Sequence, residues 1–184
     1  MAQASVVPLV LISTENPIYK SIFWVVAMGL FILMPILSVA HGQSGDEWTL
    51  ILYGNDIYDY FFNGSVKALN YDLLNWKQME GVHYYGGLFD FTVTYLHKTF
   101  APGVNELTFR HVFNALLGGG LFLYTGLLAK EIAGWRAGLL ALIFIAVSPR
   151  LFGESMNNPK DIPLGCGFIY RYVLLACLSS RVSS

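Results

Sequence analysis

The feature that most constrains the fold is a long apolar run near the start of the chain. Residues Ile22 to Ala40 contain no charged side chain, and a helix needs about 20 apolar residues to cross the hydrocarbon core of a membrane. Hydrophobic residues make up 55% of the chain and charged residues only 12%, roughly half the charge of a soluble domain. These properties predict an all-α polytopic membrane protein. A net charge of -1 argues against a nucleic-acid partner.

Hydropathy predicts about four transmembrane helices, at residues 21–40, 110–129, 137–152 and 162–180. The first could instead be a cleaved signal peptide, because Ser38-Val39-Ala40 resembles a cleavage site. Its apolar run is longer than a usual signal core, so we favour an uncleaved anchor. Arg171 falls near the middle of the fourth segment. Such a charge costs about 2.5–3.5 kcal/mol on insertion scales unless it faces protein or water.

The connections between these segments differ in charge. The short 130–136 connection carries Lys130 and Arg136, whereas the 41–109 loop holds eight acidic residues against three lysines. The positive-inside rule then places the 1–20 tail and the 130–136 turn in the cytoplasm, and the 41–109 and 153–161 loops outside. We therefore expect a multi-pass protein with a cytoplasmic N-terminus and with its outer loops in a periplasm or lumen. Of these locations we favour the bacterial inner membrane. Residues 181–184 are predicted to form a short tail, and we expect this tail to be truncated.

The 41–109 loop is too aromatic for a disordered linker. Phe89, Val93, Leu96 and Phe100 recur at helical spacing, which is typical of an amphipathic helix lying in the membrane interface. A second such helix is predicted from about Thr49 to Phe62. A small folded cap packed on the spans is a compatible alternative.

An acidic pair, Asp46-Glu47, follows the first span. It could be solvated charge at a helix end. A carboxylate at the outer mouth of a span can also act as general base on an acceptor whose leaving group is a phosphate at the membrane surface. If the spans alternate, this pair emerges on the same side as the polar cluster Asn157 to Pro163.

The polar cluster Asn157 to Pro163 allows both a structural and a chemical interpretation. Asp161 could cap the fourth span, and Pro163 suits its first turn. In addition, Lys160 offers a cation for a phosphate while Asp161 faces the same pocket. The two interpretations do not exclude each other.

Other polar residues give weaker indications. The four histidines, His41, His83, His97 and His111, lack metal-ligand spacing, so we predict no metal site. Arg110 and His111 stand at the outer end of the second span, where they could bind phosphate or anchor the helix in the interface.

Several passages together carry a family resemblance. They are Asp46-Glu47 in the first outer loop, the 110–118 span opening, the 129–138 turn, and Ser148-Pro149 followed by residues 159–163. With these passages the chain resembles the N-terminal part of the membrane glycosyltransferases of the GT-C fold. The family includes dolichyl-phosphate-mannose protein mannosyltransferases and bacterial aminoarabinose lipid A transferases.

The resemblance implies a metal-independent, inverting transfer without a cofactor. A polyprenyl-phosphate-linked sugar would be the donor, in contact with membrane lipid, and the outside acceptor would be a protein, lipid or glycan. Asp46 matches the catalytic base, with Glu47 assisting, and Asp161 matches a second acidic position. Lys160, beside Asn158, would lie near the donor phosphate.

Two departures from the family pattern stand out. Where bacterial relatives have a phosphate-contacting lysine in the first loop, this chain has His83, Tyr84 and Tyr85, which become substrate-binding candidates together with Arg110. Family members also carry many more spans, so we expect a fragment. Two other functions stay open: a transporter or channel subunit whose path includes Arg171, and a non-catalytic assembly subunit.

Overall fold

The computed structural model describes residues 16–69 and 86–182, and in these two ranges the protein is helical without strands. The helices are α1 (Pro17–Ser38), α2 (Glu47–Asn63), a short 3-10 turn (Lys67–Leu69), α3 (Leu88–Phe100), α4 (Glu106–Ala146), α5 (Pro149–Asn157) and α6 (Asp161–Val182). The predicted class, an all-α polytopic membrane protein, is confirmed.

Three of the described helices, α1, α4 and α6, are long and apolar enough to cross a membrane. The sequence predicts about four, and the difference arises in α4. This helical run of 41 residues covers the second predicted span and most of the third. Its backbone is interrupted at Ala133 and Gly134, where Gly134 has a φ of 83°, in the left-handed region that favours glycine.

The interruption reverses the chain. A Cβ atom placed on Gly138 would lie 2.8 Å from the carbonyl oxygen of Gly126, whereas residues twelve apart in a straight helix are separated by about 18 Å. Helix α4 is therefore a helical hairpin with a long arm, residues 106–132, and a short arm, residues 135–146. The reversal falls inside the predicted 130–136 connection.

The helix that begins the predicted third span, residues 137–152, ends before the span does. The short arm stops at Ala146, and α5 begins at Pro149. Proline disfavours the helical conformation in the residue before it, and Ser148 accordingly has extended backbone angles (φ -72°, ψ 109°). The predicted 153–161 loop is correspondingly helical up to Asn157. The short arm has about a dozen residues, fewer than the roughly 20 that a crossing requires.

Helix α4 is the centre of the bundle, and three consecutive glycines let its neighbours approach closely. A Cβ on Gly118 would lie 2.6 Å from that of Ser155 in α5, and one on Gly119 would lie 2.9 Å from the ring of Phe31 in α1. A Cβ on Gly120 would lie 3.2 Å from the sulfur of Cys166 in α6. Small residues at such contacts are typical of helix packing in membranes.

Helices α2 and α3 pack against each other at the end of the bundle where α1 ends and α4 and α6 begin. We call this the polar end. Gly54 allows the close approach, because a Cβ there would lie 2.7 Å from Oγ1 of Thr94. The rings of Phe62 and Tyr95 stack with centroids 5.8 Å apart. Both helices occur where the sequence predicts amphipathic helices.

Candidate active site at the polar end

The candidate site forms where three chain segments meet at the polar end. The Asp46 carboxylate, at the N-cap of α2, lies 2.9 Å from Nζ of Lys160 in the α5–α6 turn. Nearby, Oγ of Ser44 donates a hydrogen bond to the carbonyl of Asn157 at 3.5 Å. The fold thus joins the two polar clusters that the sequence singles out, although Asp46 and Lys160 are 114 residues apart.

The two partners of this ion pair differ in exposure. The Asp46 side chain is 76% exposed and that of Lys160 is 25% exposed. Asp46 makes no side-chain capping hydrogen bond to α2 within the described part of the chain. A pair this open to solvent contributes about 0–1 kcal/mol to stability. Its arrangement therefore matters more for the anion and cation it presents than for holding the fold together.

Asn158 fixes the turn that carries Lys160. Its Oδ1 accepts hydrogen bonds from the backbone N–H groups of Lys160 at 3.2 Å and Asp161 at 3.0 Å. Its amide Nδ2 donates to the Asp161 carboxylate at 3.0 Å. Asparagine commonly stabilises such turns in this way. The capping role that the sequence suggests for Asp161 is thus performed by Asn158, and Asp161 is the first residue of α6.

Glu47 has a different environment from its neighbour Asp46. It is 1% exposed, and its Oε1 lies 2.7 Å from Nε2 of His111 in α4. Its Oε2 accepts the backbone N–H of Ser44 at 2.6 Å. Glu47 therefore fastens the first turn of α2 to the long arm of α4. The same anchoring leaves the Asp46 carboxylate pointing into solvent.

Arg110 lies inside the protein rather than at its surface. It is 1% exposed and pairs through Nη2 with the Asp90 carboxylate of α3. Burial raises the pKa of Asp90, while the charges of Arg110 and Lys160 act against that rise. The Nε and Nη1 atoms of Arg110 have no hydrogen-bond partner among the described residues. In this structure Arg110 links α3 to α4.

A depression opens between the starts of α2 and α4. Its volume is about 260 Å³, and its lining is Gln43, Trp48, Ile51, Asn105, Glu106 and Leu107. Glu106 accepts a hydrogen bond from Nδ2 of Asn55 at 3.2 Å. Neither Asp46 nor Lys160 lines this depression.

Three predicted substrate-binding residues, His83, Tyr84 and Tyr85, lie outside the residues that the structure describes. Conversely, the structure brings residues to the site that the sequence did not predict. The sequence predictions gave His111 a phosphate-binding or anchoring role beside Arg110, and they gave Asp90 no role in the site. Asp90 interrupts the apolar pattern of α3, which is the one signal that could have marked it.

The described ranges contain no group of three or more histidine, cysteine, aspartate or glutamate side chains that could hold a metal ion. Cys166 and Cys177 do not form a disulfide bond. Comparisons with protein-family models, with curated proteins and with solved structures find no match.

Proposed function

We propose that the chain is a membrane glycosyltransferase, or the acceptor-side portion of one. It would transfer a sugar from a polyprenyl-phosphate-linked donor to a protein, lipid or glycan acceptor at the polar end, without a cofactor. The observation that carries the proposal is the exposed Asp46 carboxylate held 2.9 Å from the Lys160 ammonium. This pair offers a base and a phosphate-binding cation side by side.

In the proposed reaction, Asp46 accepts the proton of the acceptor hydroxyl as its oxygen attacks the anomeric carbon of the donor sugar. The bond between that carbon and the phosphate oxygen breaks, and polyprenyl phosphate leaves with the electron pair. Lys160 would exchange its contact with Asp46 for one with the leaving phosphate. A cation beside the negative charge that develops on the leaving phosphate stabilises the transition state and so lowers the barrier.

The neighbouring residues would position this pair. Glu47 is buried and hydrogen-bonded to His111, so it supports Asp46 rather than contacting substrate. Asp161 and Asn158 hold the turn from which Lys160 extends. Arg110 is buried in an ion pair with Asp90, and this pair holds α3 against α4.

The proposed orientation places the polar end outside and the N-terminus in the cytoplasm, as in a bacterial inner-membrane protein. Its support is the charge at the opposite end. There the ammonium groups of Lys20 and Lys130 lie 5.7 and 5.3 Å from the ring centroid of Trp135, and the Arg136 guanidinium lies 4.7 Å from that of Tyr19. Cations at one end favour its location in the cytoplasm.

The test is sugar transfer in membranes that contain the chain, supplied with labelled polyprenyl-phosphate sugars. Asp46→Asn should lower the rate by about 10²–10⁴-fold, the contribution typical of a general base. Asp59→Asn is the matched control, because Asp59 is also a carboxylate of α2 that solvent reaches in part, and it lies 4.0 Å from a lysine, Lys98. Transfer by the Asp46 variant at the wild-type rate would refute the assignment.

A transporter or channel subunit is the second candidate, favoured by the exposed Arg171 within a membrane-spanning helix. Intramembrane charges commonly line solute paths. This candidate requires substrate flux across proteoliposomes without consumption of a lipid-linked sugar. The non-catalytic assembly subunit requires neither transfer nor flux.

A further inference from the structure

Helix α6 has two dissimilar faces. One face packs on α4 and includes the buried residues Ile162, Cys166 and Val173. The other face is exposed along the whole span. It carries side chains at alternating spacings of four and three residues, which we call the α6 seam: Leu164, Phe168, Arg171, Leu175 and Leu178. This spacing is the one by which two helices interlock along a shared seam.

Arg171 makes this face unlike an ordinary lipid-facing surface. It lies ten residues after Asp161, about 15 Å along a helix, and eight before Ser179, so it stands near the middle of the span. Its side chain is exposed, and nowhere in residues 16–69 and 86–182 does it meet a carboxylate within ion-pair distance. Lipid tails can cover the leucines and the phenylalanine, but a guanidinium in hydrocarbon is costly without a partner.

We propose that the α6 seam binds a membrane-spanning helix that carries an aspartate or glutamate at the depth of Arg171. The apolar seam residues would supply the packing, and the carboxylate would form a charge-assisted, forked hydrogen-bonded pair with the guanidinium. This inference is independent of the proposed sugar transfer.

A second copy of the chain does not fit this requirement. The carboxylates of the described spans lie towards their ends, at Glu106, Glu131 and Asp161, and α1 has none. Glu131 is level with Cys177, whose sulfur lies 3.8 Å from its Oε1. Cys177 is six residues beyond Arg171, about 9 Å along the helix. A copy inserted in the same orientation would therefore present no carboxylate at the depth of Arg171.

The test uses synthetic leucine-rich transmembrane peptides that carry one central glutamate, or one central glutamine as the matched probe. Association with the full chain in phosphatidylcholine vesicles is measured by fluorescence energy transfer. The glutamate peptide should bind about tenfold more tightly than the glutamine peptide. Arg171→Gln and Arg171→Leu should both abolish that preference, whereas Arg150→Gln, which changes an arginine outside the spans, should leave it intact.

The result that overturns the proposal is equally specific. It is an equal affinity for the two peptides with the wild-type chain, or a preference that persists in both Arg171 variants. Displacement of the peptide by a second copy of the chain would also overturn it. Circular dichroism of each variant checks its helix content, so that a loss of binding is not confused with a loss of folding.

Discussion

The Oε1 atom of Glu47 lies 2.7 Å from Nε2 of His111, and both side chains are only 2% exposed. The preceding residue, Asp46, is largely exposed. These two adjacent carboxylates thus have opposite environments, and we infer that they have different roles. The buried one holds α2 on α4, and the exposed one is available to react.

Loss of the buried pair should reduce stability. We expect Glu47→Ala to lower the free energy of unfolding by about 1–3 kcal/mol, because it leaves the buried His111 nitrogen without its hydrogen-bond partner. Thermal unfolding in detergent measures the effect. Asp46→Asn serves as the control and should change stability by less than about 0.5 kcal/mol. Equal losses in the two variants would contradict the division of roles.

The double variant Glu47→Ala/His111→Ala should lose less stability than the two single variants added together. Side chains in direct contact commonly show coupling energies of about 0.5–3 kcal/mol. The measurement is a double-mutant cycle on the same unfolding transition. Strictly additive losses would show that the hydrogen bond contributes nothing of its own.

Lys160 should matter for the proposed donor and not for the fold. We expect Lys160→Met to weaken use of the lipid-phosphate donor, seen as a rise in KM together with a fall in kcat, because the phosphate loses its cation in both the ground state and the transition state. Lys98→Met is the matched control, since Lys98 lies 4.3 Å from the ring centroid of Tyr58, away from the site. An unchanged KM and kcat for the Lys160 variant would remove this residue from the mechanism.

The buried carboxyl of Asp90 should titrate above its ordinary range. Burial is the main cause of its raised pKa, and Arg110 opposes it, so Arg110→Met should raise the pKa further. A folded-state pKa above the unfolded value means that this group's contribution to stability is full below the unfolded pKa and is lost as pH rises through the folded pKa. Infrared titration of the carboxyl band, with Asp90→Asn to identify it, checks both shifts. A pKa that falls in the Arg110 variant would contradict this account.

The reversal in α4 depends on one glycine. Gly134→Ala should cost about 1–3 kcal/mol, because a side chain disfavours the backbone angles at that position (φ 83°, ψ -178°). Gly167→Ala in α6 is the control: a Cβ there would meet nothing within 4 Å, and alanine is the better helix former. Detergent unfolding should therefore show opposite signs for the two substitutions, and a stabilised Gly134 variant would rule out the strained turn.

Composition and hydropathy were sufficient to predict an all-helical membrane protein, and the amphipathic pattern of Phe89, Val93, Leu96 and Phe100 located α3. Hydropathy could not predict where the third apolar segment ends, because it averages over Ser148 and Pro149. The backbone at these residues ends one helix and begins another. Alternation of the predicted spans placed the Asp46-Glu47 pair and the Asn157 to Pro163 cluster on the same side of the membrane. The contact between Asp46 and Lys160 joins these two clusters.

Sequence patterns could not predict which buried polar side chains pair with each other. Glu47 and His111 are 64 residues apart, and Asp90 and Arg110 are 20 apart on different helices. Each pairing depends on how α2 and α3 pack against α4 rather than on the spacing of the residues along the chain. Adjacency in the chain suggested one shared role for Asp46 and Glu47, whereas the first turn of α2 turns one carboxylate outward and the other inward.

The short arm of α4 has a consequence for the bilayer around it. Its dozen residues extend about 18 Å, roughly 12 Å less than the hydrocarbon thickness. Helix α5 follows the short arm and packs with Ser155 against Gly118 of the long arm. Where lipid meets the short arm directly, we expect the bilayer to thin to match it. Such thinning would bring lipid phosphates closer to the turn that carries Lys160.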